Sequence, residues 1–196
     1  YMVGAQLEGF DTMVKLTRTA PVIILEGDEY LSSPVDRRPK FHLYKADIGL
    51  VSGIAWDHIN VFPTYESYRE QFRIFIEGIP PEGVLVYCAE DKELAALASS
   101  CGRCEKIPYM VPEHTTEDGV TFLSASGEKI PLKVFGGHNL SNLSGAMAVC
   151  RRLGVTDTEF YQAIASFKGA ARRLELLFSN GNRAVFRDFA HSPSKL

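Results

Sequence analysis

The chain has 196 residues, 45% hydrophobic and 23% charged, with a formal net charge of −3. That apolar share can build a sizeable core, which excludes a disordered chain and a disulfide-stapled miniprotein. The balance of 21 basic against 24 acidic residues argues against a general nucleic-acid or anionic-membrane surface.

No apolar run approaches the ~20 residues of a membrane span. No secretory signal opens the sequence either, so the cytoplasm is the expected compartment. The chain starts Tyr1-Met2-Val3 and stops at Lys195-Leu196 without closing an element, and is expected to be a piece of something longer.

In chain order, residues 22–25 (Val-Ile-Ile-Leu) form a continuous apolar run rich in β-branched side chains. That texture predicts a strand buried on both faces, as in a parallel sheet. It ends in Glu26-Gly27-Asp28-Glu29. Residues 48–55 predict a second such strand, ending in Trp56-Asp57-His58. A helix is predicted over 64–79, with Tyr68, Phe72, Phe75, Ile76 and Ile79 on one face. Pro80-Pro81 stops it. Residues 84–87 predict a third buried strand and 91–98 a further helix. Strand, helix, strand, helix is the pattern of an α/β layer fold.

Residues 119–135 read as a β-hairpin turning at 124–127. A helix over 140–153 should turn Leu140, Leu143, Met147 and Cys150 inward. The next helix starts at a Thr156/Asp157 cap, carries Phe160, Ile164 and Phe167, and stops at Gly169. Residues 174–178 and 184–189 return to β texture around a turn at 179–182. A domain boundary is expected near residue 170.

The cysteines at 88, 101, 104 and 150 include one CxxC. It would suit half a zinc knuckle or a redox pair. A closed zinc site needs four ligands, however, and the nearest extra candidate is His114. Reduced, structural cysteines are the expectation.

Ligands in open α/β sheets bind outside the carboxyl ends of the strands. The clusters Glu26-Gly27-Asp28-Glu29 and Asp57-His58 fall there. Their carboxylates suit a hard cation such as Mg²⁺ with phosphate, whereas a histidine points rather to Zn²⁺ or Mn²⁺. The same residues also suit a solvated acidic turn and a histidine bonded to a loop carbonyl. Gly136-Gly137-His138-Asn139-Leu140-Ser141-Asn142 lies where a helix begins. Asn139 would serve as its N-cap or as an amide reading an adenine edge, and His138 could stack on a base. Arg172-Arg173 at the suspected joint suits phosphate or is ordinary surface charge. Arg187-Asp188-Phe189-Ala190-His191 ends a strand with an acid and an imidazole, and Arg37-Arg38-Pro39-Lys40 is a short basic run. No Gly-x4-Gly-Lys-Ser/Thr loop occurs.

Taken in order, Glu-Gly-Asp-Glu-Tyr, Trp-Asp-His, Gly-x-His-Asn-x-x-Asn, Gly-x-x-Arg-Arg-Leu-Glu and Asp-Phe-Ala-His-Ser-Pro resemble the Mur ligase family, over nearly the whole chain. Within the family, Asp28-Glu29-Tyr30 and residues 36–41 look most like the branch that reattaches a recycled murein tripeptide. The alanine-adding branch usually reads Asp-Glu-Ser at the first site. The resemblance implies an ATP-dependent ligase of peptidoglycan synthesis or recycling, with ATP and Mg²⁺ as cofactors. Its substrates would be UDP-N-acetylmuramate and L-Ala-γ-D-Glu-meso-diaminopimelate, or alternatively L-alanine. A non-catalytic nucleotide-binding module is a further alternative.

By motif matching, Glu26 and His58 would be Mg²⁺ ligands and His138, Asn139 and Asn142 would meet the adenine side of ATP. Arg173 would reach phosphate, and Asp188 and His191 would come from a C-terminal domain. The implied fold is the family's α/β central domain, a mostly parallel sheet with helices plus a β-hairpin. It would span residues 1–170 and lack its phosphate-binding start, and residues 171–196 would open the second domain. Such a piece alone is expected to be inactive. The lysine that many relatives carry on the helix after the Asp-His motif is matched here by Phe72.

Overall fold

Strands β1 (Ile48–Val51), β2 (Val84–Cys88) and β3 (Glu105–Tyr109) form a parallel sheet in the order β1-β2-β3, with Ile48 opposite Val84 and Val84 opposite Glu105. The computed structural model describes residues 1–125, 127–171, 173 and 175–188. The chain divides into two compact units, Tyr1–Asp28 with Lys168–Leu196, and Glu29–Phe167. The parallel sheet belongs to the second.

Val84, Leu85 and Val86 of β2 are all essentially inaccessible to solvent. A central parallel strand is covered on both faces, which is why its sequence is continuously apolar rather than alternating. Helix α1 (Lys40–Leu43) is a single turn. Helix α2 (Tyr65–Gly78) is capped by Thr64, whose Oγ1 accepts the Ser67 amide at 3.2 Å. Its apolar stripe is the expected one. Ile76 and Ile79 are buried in the sheet's core, Phe72 and Phe75 pack against it, and Tyr68 is buried. Phe41 of α1 meets Phe72 and Phe75 at ring-centroid distances of 5.4 and 5.1 Å. Helix α3 (Lys92–Ser100) is capped by Asp91 and buries Leu94, Leu97 and Ala98.

A second, antiparallel sheet of β4 (His114–Glu117), β5 (Val120–Ala125) and β6 (Glu128–Leu132) contains the expected hairpin plus an added strand. Helix α4 (Gly137–Arg152) and helix α5 (Asp157–Ile164) close over it. Thr156 and Glu159 form a reciprocal capping box at the start of α5. Leu140, Leu143 and Met147 are buried with Phe160, and Cys150 and Ile164 pack against them. Phe167 is not part of that core and lies exposed.

The first unit differs most from expectation. Residues 22–25 form no strand. Leu25 makes a single parallel bridge to Met2, and Ile23 and Ile24 are 57% and 61% exposed. Met2 donates to Ile24 O and accepts from the Glu26 amide, both at 2.8 Å, but no described ladder extends this contact. A continuous apolar run becomes a buried strand only with a partner on each side. The β texture near the C-terminus is present as a hairpin of β7 (Glu175–Ser179) and β8 (Ala184–Arg187), with Arg187 bidentate on Glu175.

Candidate functional site

Parallel packing puts the carboxyl ends of β1 and β2 on one edge of the sheet, and the second unit's polar side chains gather there. Asp91, just past β2, accepts the Ile54 amide on Oδ2 at 2.7 Å and the Leu94 amide on Oδ1 at 3.0 Å. One carboxylate thus caps α3 and holds the loop that follows β1. Cys88 at the end of β2 lies 3.7 Å from the Ser141 hydroxyl, which brings the first turns of α4 to the same edge. All four cysteines are free thiols, and Cys101 donates to Leu97 O at 2.9 Å.

His58 occupies a tight turn in the loop after β1. Its φ of 55° is left-handed, a conformation that non-glycine residues adopt only when the surroundings enforce it. The enforcement is visible. Its carbonyl accepts from the Val61 and Phe62 amides at 2.8 and 2.9 Å, and its own amide donates to Asp57 Oδ1 at 2.8 Å. Trp56 Nε1 ties the turn closed by donating to Phe62 O at 3.0 Å.

The His58 ring is 16% exposed, with Nε2 2.8 Å from Glu29 Oε1 and Nδ1 3.8 Å from Asp57 Oδ1. The Tyr30 ring lies across it at 4.3 Å between centroids. Tyr68 is buried beneath this group. Burial, and then the nearby Glu29 and Asp57 carboxylates, push its phenol well above the ordinary tyrosine range.

At the start of α4 the N-cap is Gly136, with φ 85°, and not Asn139. Glycine reaches that conformation without a Cβ penalty. Asn139 lies inside the first turn instead, where its Nδ2 donates to Phe135 O at 2.8 Å and pins the entry of the helix. His138 and Asn142 are one turn apart on the same helix face, and both are exposed.

Glu26, Arg173 and Asp188 belong to the first unit. Glu26 is exposed and accepts the Gly4 amide on Oε2. A Cβ at Gly4 would stand 2.7 Å from Glu26 Oε1, so a side chain there would have to displace that carboxylate. Arg173 donates its amide to Ala170 O at 3.2 Å, and Asp188 follows β8; both side chains are exposed. His191 lies outside the described residues.

Among the described residues, no three His, Cys, Asp or Glu side chains converge as a metal cage. A Mg²⁺ held on nucleotide phosphate does not require one. It takes one or two protein ligands and completes its shell with water and phosphate oxygens. Glu26 in the first unit and His58 in the second are each, taken singly, of a residue type that can fill such a place.

Residues 9–150 match the model of the Mur ligase middle domain. The chain belongs to the Mur ligase family. Among curated proteins it is 31% identical to the UDP-N-acetylmuramate–L-alanine ligase of Arthrobacter sp. (strain FB24), over 91% of this chain and 39% of that one. It is 30% identical to the UDP-N-acetylmuramate–L-alanyl-gamma-D-glutamyl-meso-2,6-diaminoheptandioate ligase of Haemophilus influenzae, over 100% of this chain and 45% of that one. The chain therefore spans less than half the length of these relatives. Two solved structures share the fold. The Neisseria meningitides UDP-N-acetylmuramate:L-alanyl-gamma-D-glutamyl-meso-diaminopimelate ligase superposes with a TM-score of 0.69 at 22% identity, covering 87% of this chain and 58% of that one. MurF from Thermotoga maritima in complex with ADP gives 0.60 at 19% identity, covering 76% and 37%.

Two residues of this Mur ligase chain carry local architecture that sequence reasoning overlooked. Glu29 read as one member of an acidic turn, and its hold on His58 depends on loop geometry that no periodicity encodes. Asp91 read as the start of a helix. Its position before Leu94 was the available signal for a cap, and its second bond to Ile54 had none.

Proposed function

We propose that the protein to which this chain contributes a Mur ligase middle domain is an ATP-dependent ligase of peptidoglycan synthesis or recycling. It would join UDP-N-acetylmuramate to L-Ala-γ-D-Glu-meso-diaminopimelate. The observation that carries this reading is the alignment of the entire chain with a curated ligase of that name. The Glu26 to Tyr30 motif supports the tripeptide branch. A cytoplasmic location fits a chain in which no described helix is long and apolar enough to cross a membrane.

In this reading the substrate carboxylate attacks the γ-phosphorus of ATP, ADP leaves, and an acyl phosphate forms. The peptide amine then attacks the acyl carbon and inorganic phosphate departs. Glu26 and His58 would each serve as a Mg²⁺ ligand, and the ion when bound would offset charge on the transferred phosphoryl. His138, Asn139 and Asn142 would meet the adenine side of ATP, the two amides as donor–acceptor groups for the base edge and the imidazole as a stacking ring. Arg173 would reach phosphate with its forked guanidinium, and Asp188 and His191 would come from a C-terminal domain.

A second reading has its own support, since the Arthrobacter alanine ligase is as similar as the tripeptide ligase. Phosphate release from ATP by the intact protein, measured with UDP-N-acetylmuramate plus either tripeptide or L-alanine, separates the two. Faster release with tripeptide is expected, and a preference for L-alanine selects the second reading. Release with neither overturns both.

A further inference from the structure

We propose that Glu29 is a positioning residue for His58, holding the ring proton on Nε2 so that Nδ1 keeps its lone pair. The proposal rests on the reading of His58 as a cation ligand only for what Nδ1 then does. The hold itself is independent of that reading.

Glu29 Oε1 lies 2.8 Å from His58 Nε2, an ion-pair contact too close for two facing lone pairs. An ionised carboxylate can only accept, so Nε2 must supply the proton. The other ring nitrogen is in a different situation. Nδ1 faces Asp57 Oδ1 at 3.8 Å, beyond hydrogen-bond reach, and that oxygen already accepts the His58 amide at 2.8 Å. In a neutral imidazole one nitrogen donates and the other accepts, so this geometry selects the tautomer protonated on Nε2.

The ring is also held in orientation. Tyr30, the next residue after Glu29, covers its face at 4.3 Å with the two planes tilted by 58°. The two adjacent residues thus fix edge and face together. On the backbone side, the left-handed turn at His58 is locked by the Val61 and Phe62 amides. A histidine that ligates a metal through one nitrogen commonly gives its other N–H to a carboxylate, which fixes the tautomer and raises the basicity of the ligating nitrogen. Glu29 stands where that carboxylate belongs, and Nδ1 is the nitrogen left for the cation.

The test uses the full 196-residue chain with ¹⁵N-labelled histidine. Two-bond ¹H–¹⁵N correlation spectra at mildly alkaline pH distinguish protonated from unprotonated ring nitrogens. The wild-type chain should show His58 with Nε2 protonated and Nδ1 bare. The Nε2–H population should fall in Glu29→Gln, which keeps an acceptor oxygen but adds a donor, and fall further in Glu29→Leu. Titration with Mn²⁺ alone should broaden Nδ1 first, and Glu29→Leu should weaken that response by about 10–100-fold.

A proton on Nδ1 in the wild-type chain overturns the proposal, as does a tautomer unchanged in both variants. The wild-type and Glu29→Gln spectra decide the matter if Glu29→Leu does not fold. Mn²⁺ that leaves His58 untouched, with Nε2 protonated as stated, overturns the cation reading while supporting the Glu29 hold.

Discussion

Asp91 binds the Ile54 amide through one carboxylate oxygen, at 2.7 Å, while its other oxygen caps helix α3. Ile54 is buried, so its amide has no ready replacement partner. Loss of a cap costs about 1 kcal/mol, and an orphaned buried donor about 1–3 kcal/mol. Asp91→Ala should therefore destabilise the chain by about 2–4 kcal/mol in urea unfolding. Asp91→Asn retains one acceptor oxygen and should lose less. Equal stability of Asp91→Ala and wild type would contradict the double role.

Gly145 sits mid-helix in α4, where glycine is ordinarily unfavourable. A Cβ there would stand 2.9 Å from the Tyr109 ring and 2.9 Å from Leu50 Cδ1. Alanine gains about 1 kcal/mol in helix propensity, whereas overpacking against a rigid ring costs about 1–3 kcal/mol. Overpacking wins, and Gly145→Ala should lower stability by about 1 kcal/mol. The expected signature is a reduced urea midpoint at constant slope. An increase would mean that α4 can lift from the sheet freely.

Tyr68 makes the chain sensitive to alkali. Burial and the Glu29 and Asp57 carboxylates raise its phenol above the ordinary value of 10.0. A group raised in the folded state contributes stability fully below its unfolded value. That contribution declines as pH rises from there through the folded value. Stability attributable to Tyr68 should thus be constant to about pH 10 and fall above it. Tyr68→Phe should remove that alkaline slope, measured as unfolding free energy against pH. An unchanged slope would assign the sensitivity elsewhere.

His138 and Asn142 test the nucleotide reading apart from the fold. Both are exposed on α4, so alanine at either should change stability by no more than about 0.5 kcal/mol. Asn139→Ala removes the bond to Phe135 O and should cost about 1 kcal/mol. If these residues line the adenine side, all three variants should weaken ATP binding by the intact protein in calorimetry. Unchanged affinity in His138→Ala and Asn142→Ala would remove them from the nucleotide site.

How much of this was legible depended on whether a segment's neighbours are local. The stripe of α2 and the Thr156 cap of α5 were readable because their partners lie within a few positions in sequence. Strand β2 was readable because burial on both faces leaves a continuous apolar signature. Residues 22–25 carry the same signature without the flanking strands. Strand β3 was missed because Glu105, Lys106 and Pro108 mask it, and a sheet edge tolerates both charge and proline. In the site, His58 was recognisable as a residue type in a motif. Its orientation was not, because Glu29 reaches it from a separate loop. Asn139 was misjudged as a cap because Gly136, three residues earlier, already had the backbone freedom to start the helix.

Helix α4 turns Ala148 and Val149 toward the core of the parallel sheet, and Leu140, Leu143 and Met147 toward the core of the antiparallel one. It is a shared wall, and neither core retains its cover if that helix melts. The two sheets of this unit should consequently exchange their backbone amides with one common opening energy, as a single cooperative block. Whatever binds at the start of α4 would then tighten both halves together.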